Sequence, residues 1–71
     1  MICRDIWYSV CVNTGCVRFY ALVEDGYEEE VVQKLKKFKC LNITIGNKYR
    51  DIDPEDVEKD EDIEHLYNWK K

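Results

Sequence analysis

The sequence predicts a small α+β domain: a mostly antiparallel four-stranded sheet in ββαββ order, one helix on its apolar face, and an acidic helical tail. Three observations carry this expectation. Two runs rich in β-branched and aromatic residues flank a turn signal, a single amphipathic stretch follows them, and the charge changes sign near residue 50. With 71 residues, 45% of them hydrophobic and 37% charged, the chain has the composition of one compact domain over 1–71, with a core at 1–50 and a tail at 51–71.

Ile6 to Val12 and Cys16 to Val23 read as a β-hairpin closed at Asn13-Thr14-Gly15. With Cys11 opposite Cys16, the residues Ile6, Tyr8, Val10 and Val12 share one face with Val17, Phe19, Ala21 and Val23. Trp7, Ser9 and Cys11 then share the other with Cys16, Arg18 and Tyr20. A slip of one residue would mix the two sets, so this register is preferred.

Asp25-Gly26-Tyr27-Glu28 has the form of a capping box, with Asp25 as the cap, and predicts a helix running to about Lys39. Tyr27, Val31, Leu35 and Phe38 recur at helical spacing, which makes them the stripe that packs on the hairpin. Glu28 to Glu30 suit the positive end of the helix dipole, and Lys34, Lys36, Lys37 and Lys39 the negative end.

Cys40 to Ile45 alternates, with Leu41, Ile43 and Ile45 on one face, and predicts a third strand. Gly46-Asn47 reads as a tight turn into a short fourth strand from Lys48 to Ile52, with Ile45 facing either Lys48 or Tyr49. Asp53-Pro54-Glu55-Asp56 has the marks of a helix start. Val57 and Ile63 cannot share one helical face, whereas Ile63, Leu66, Tyr67 and Lys70 can. The expectation is a short helix near 54–59, a break at Asp60 to Asp62 and a last helix near 62–70.

The charge divides along the chain. Residues 1–50 carry six acids against eight Lys and Arg, and residues 51–71 carry nine acids against three Lys, which makes the tail −6 within a net charge of −4. An acidic chain with a pI near 4.9 is a poor ligand for a phosphate backbone, so direct nucleic-acid binding is not expected. No apolar run approaches a membrane span, and Met1-Ile2-Cys3-Arg4-Asp5 does not open a secretory signal. No membrane contact and a cytoplasmic location are the expectations, and Asn42-Ile43-Thr44 is then an accidental sequon.

Catalytic chemistry finds little support. A domain of this size nets only about 3–5 kcal/mol from its core, which leaves little room for a deep catalytic pocket. His65, the one histidine, sits among acids, a setting that raises rather than lowers a thiol pKa, and exposed carboxylates have no cause to shift toward acid–base work. No glycine-rich phosphate loop or serine triad is present, and the expectation is a protein that is not an enzyme and takes no cofactor.

Cysteines at 3, 11, 16 and 40 lack the tight pairing of zinc sites, so no metal is expected. Cys11 and Cys16, as cross-strand neighbours, are the pair placed for a disulfide, and reduced thiols acting as small hydrophobes are the simpler alternative.

Two surfaces remain as candidates. Trp7, Tyr20 and Arg18 form an aromatic and cationic face that either packs under the C-terminal helix or stays open to bind a partner. Glu55, Asp56, Glu58, Glu61, Asp62 and Glu64 form an acidic element that either only solvates the protein or imitates a line of phosphates and docks on the basic groove of a nucleic-acid-binding protein. The second member of each pair makes the chain a small binding module, an inhibitor or adaptor of the kind a virus or mobile element encodes, by analogy of size and charge alone. A self-associating module, as a homodimer, and a cysteine-dependent redox or metal protein are the competing classes.

Overall fold

The computed structural model describes residues 1–69, and for Trp69 its backbone alone. Five strands, Ile2–Val12 (β1), Gly15–Glu24 (β2), Leu41–Asp51 (β3), Val57–Lys59 (β4) and Leu66–Trp69 (β5), form one antiparallel sheet in the order β3-β1-β2-β5-β4, and one helix, Glu28–Lys37 (α1), packs on it.

The hairpin takes the register that its two faces require, with Cys11 opposite Cys16, Trp7 opposite Tyr20 and Ile6 opposite Ala21. On the helix side, Ile6, Ala21 and Val23 are buried against Val31 and Leu35 of α1 and against Ile63 and Leu66. The cover is partial for a reason of length. Ten helical residues span about 15 Å, whereas an eleven-residue strand runs about 36 Å. Val12, Val17 and Phe19 therefore remain exposed beyond the helix, although they share the apolar face.

Several expectations are corrected. The helix ends at Lys37 rather than Lys39, and its N-cap is Tyr27, with no side-chain cap bond from Asp25; Glu28 does reach back, accepting from the Gly26 amide at 3.0 Å. Tyr27 and Phe38 do not join Val31 and Leu35 in the core: they are the N-cap and C-cap residues, outside the helical turns, and Tyr27 is 38% exposed and Phe38 55%.

Gly46-Asn47 is not a turn, and the two strands expected around it are one strand, β3, lying along β1. Ile45 pairs with Ile6 and Tyr49 with Arg4, so the extra residues bulge out opposite Asp5. Arg4 holds that bulge, donating from Nε and Nη2 to the Gly46 carbonyl at 3.0 and 2.7 Å. A Cβ on Gly46 would lie 3.2 Å from the Asp5 carbonyl oxygen, so this close approach of two backbones suits glycine. A second shift sets Leu41 opposite Ser9, with Asn42 at φ 54° in the bend.

The acidic helical tail is likewise replaced over the described residues. The start signal works for a single turn: Asp53 accepts from the Glu55 amide at 3.1 Å and Pro54–Asp56 forms a 3-10 turn. The chain then extends into β4 instead of a helix over 54–59, and β5 stands where a helix near 62–70 was expected, with Lys70 outside the described residues. The six-residue offset of Val57 from Ile63 explains the change. Val57 packs with Cys3, Leu22 and Ile52 in a second core on the sheet's other side, while Ile63 and Leu66 pack in the first, an arrangement that extended segments reach and one helix face does not. Pairing of β5 with β2 at Leu22 and Val23 also covers an edge that the hairpin would otherwise leave open.

Candidate binding surface

Over the described residues the tail joins the sheet edge instead of folding over the hairpin, and Trp7 and Tyr20 stay partly exposed. Trp7 and Tyr20 stack across β1 and β2 with ring centroids 4.9 Å apart and planes at 28°, and the Arg18 guanidinium lies 5.5 Å from the Trp7 ring centroid. Trp7 is 37% and Tyr20 41% exposed, whereas Ser9 beneath them is buried. Amphipathic rings fixed by a cross-strand partner, with a guanidinium at their edge, give contact area at low entropic cost, the composition found at interface hot spots. Cys11 and Cys16 lie two pairs beyond Ser9 and Arg18, with Cα atoms 4.0 Å apart and the two sulfurs bonded, so the strands carrying the rings are stapled near the tip.

The acidic residues occupy a different part of the molecule. Glu55 and Asp56 lie in the 3-10 turn, Glu58 on the edge strand β4, and Glu61, Asp62 and Glu64 in the loop between β4 and β5, all exposed. Because β5 meets β2 only at Leu22 and Val23, these acids lie beyond the base of the hairpin, and Arg18 and Tyr20 lie toward its tip. The two candidate sets thus form two surfaces, not one patch.

The acidic loop is held in place. Asp60 accepts from the Asp62 and Ile63 amides at 2.8 and 3.3 Å and donates its own amide to the Leu66 carbonyl at 2.7 Å. The His65 ring stacks on Tyr27 with centroids 3.5 Å apart, its Nδ1 lies 3.3 Å from Glu24 Oε2, and the Tyr67 hydroxyl donates to the same oxygen at 3.2 Å. Burial, with the Glu24 charge and hydrogen bond adding to it, raises the Tyr67 pKa and keeps the phenol a donor. His65 is thereby an anchor that ties the loop to β2 and to the start of α1. Among the described residues no ion pair engages Asp60, Glu61, Asp62 or Glu64.

Sequence reasoning missed a third feature, on the helix side. Leu35, Ile63 and Leu66 floor an apolar cavity of about 150 Å³ walled by Tyr8, Phe38 and Cys40, with Asp60 and Asp62 at its rim. It adjoins a wider cleft of about 490 Å³ that shares those two aspartates and is lined further by Glu61, Glu64, Lys34 and Lys59. Burial raises the Cys40 pKa, and burial followed by Cys40 and Asp60 raises that of Tyr8, so both walls stay neutral at neutral pH.

Among the described residues no group of three or more His, Cys, Asp or Glu is placed to hold a metal ion, and no helix is long and apolar enough to cross a membrane. No family model matches the sequence, and neither a curated protein nor a solved structure matches the chain.

Proposed function

We propose that this chain is a non-enzymatic protein-binding module, an inhibitor or adaptor that docks on a basic, nucleic-acid-binding partner. The observation that carries the reading is the partly exposed Trp7–Tyr20 stack with Arg18 at its edge, a composition typical of interface hot spots. The anchored acidic loop and the β4 edge supply the second element. Eight acids between Asp53 and Glu64 stand against Lys59 alone, a field that draws a basic groove toward the protein and orients it on approach.

The test separates the two surfaces. In pulldowns from native host extract, Trp7→Ala with Tyr20→Ala removes the aromatic face, and Asp56, Glu58, Glu61 and Glu64 reversed to Lys removes the field. Loss of capture with both variants, together with salt-sensitive binding by the unaltered chain, supports the reading. Capture that survives charge reversal and is insensitive to salt overturns the phosphate-mimic component.

A second reading, self-association, is favoured by the exposed Val12, Val17 and Phe19 on the opposite side of the same hairpin. Sedimentation at micromolar concentration tests it: a dimer that Phe19→Ser dissociates supports it, and a monomer overturns it.

A further inference from the structure

We infer that the notch beside α1 is a side-chain pocket, and that its occupant is a Phe- or Leu-sized group on a partner segment, flanked by Lys or Arg. The inference deepens the proposed function and rests on it in one respect, the basic character of the partner.

Size and chemistry argue for this occupant. A cavity near 150 Å³ with an apolar lining accepts a benzene-sized group, and here the floor is Leu35, Ile63 and Leu66. Phe38, 55% exposed at the mouth, offers an aromatic wall that an incoming ring would cover. The rim selects the flanking charge. Asp60 and Asp62 stand at the mouth, and the adjoining cleft continues with Glu61 and Glu64 and with Lys34 and Lys59, so four acids outnumber two lysines there. Among the described residues none of these carboxylates is within ion-pair distance of a cation, so the excess negative charge favours cations on either side of the anchor. An acidic segment would gain the apolar contact but face the like charge of the rim, and a neutral one would draw nothing from it. The loop bearing the rim is already fixed by Asp60 and His65, so docking does not have to order it.

The experiment uses the full chain and three end-blocked pentapeptides, KKFKK, KKAKK and EEFEE, followed by amide chemical shifts in solution. KKFKK is expected to move the amides of Leu35, Cys40, Ile63 and Leu66. KKAKK should bind at least about tenfold more weakly, the value expected for losing one buried apolar side chain, and EEFEE should fail to bind. Asp62→Asn, which spares the structural role of Asp60, should weaken KKFKK severalfold while leaving the remaining amide shifts in place.

Equal binding of KKFKK and KKAKK overturns the pocket, because charge alone would then account for the attraction. Absence of binding at millimolar peptide overturns it also, as do shifts confined to Trp7 and Tyr20. Any of these three results with salt-sensitive partner capture intact leaves the proposed function standing. Conversely, peptide binding in the notch by a chain whose partner capture ignores charge reversal would retain the pocket and remove the mimic.

Discussion

Arg4 and Gly46 are joined across the sheet by two hydrogen bonds to one carbonyl oxygen, at 3.0 and 2.7 Å, and this contact closes the bulge where β3 departs from the register of β1. The same guanidinium lies 4.9 Å from the Tyr49 ring centroid and 3.8 Å from Glu28, so one side chain links β1, β3 and α1.

Replacing that arginine with an unbranched apolar chain keeps the stem and removes the guanidinium contacts together. Arg4→Met is expected to cost about 1.5–3 kcal/mol, the range for hydrogen bonds to a charged group, with amide exchange accelerated first around Gly46 to Tyr49. Urea denaturation and hydrogen exchange check this; a loss under half a kcal/mol would show that the bulge closes without it.

The Trp7–Tyr20 stack should show up as a coupling energy. Each alanine variant is expected to remain folded, since both rings are partly exposed, and the double-mutant cycle should return about 0.5–1.5 kcal/mol. Partner capture should fall far more than stability does. A coupling near zero would mean that the rings are neighbours without mutual stabilisation.

Reduction of Cys11–Cys16 should loosen the hairpin without unfolding the sheet. The cysteines are five residues apart, and closing so short a loop restricts the unfolded chain by about 2 kcal/mol. Thermal melting with and without a dithiol reductant, against a Cys11→Ser/Cys16→Ser control that reductant does not move, measures this difference.

Stability should decline on the alkaline side. Burial raises the Cys3 thiol, with Glu24 adding to the rise and the N-terminal ammonium opposing it, and burial together with Glu24 raises the Tyr67 phenol. A raised folded-state pKa means that the folded state prefers the neutral form. The contribution is complete below the unfolded values, about 8.5 for a thiol and 10 for a phenol, and is lost as pH climbs through the raised folded values. Urea midpoints from pH 7 to 11 should fall progressively above pH 8.5, and Cys3→Ala and Tyr67→Phe should each flatten part of the decline. A flat profile in the unaltered chain would contradict this account.

What the sequence by itself determined is local or periodic. The hairpin register follows from two faces whose period-two division fails on a one-residue slip, and the helix follows from its acid-to-base polarity with Val31 and Leu35 one turn apart. Asp53-Pro54 likewise marks a real turn. The aromatic face was legible for the same reason, as Trp7, Arg18 and Tyr20 fall on one side once the register is known. Only the tertiary structure decided whether Gly46-Asn47 reverses the chain or bulges, because that depends on a donor 42 residues away, Arg4. It also decided that the tail would be strand. Helix-start signals act over one turn, whereas the open edge of β2 and two separate cores awaiting Val57 and Leu66 act over the whole sheet, and burial with edge pairing outweighs a cap. The notch belongs wholly to this second category, because its walls come from β1, α1 and the β4–β5 loop and meet only when the fold is complete.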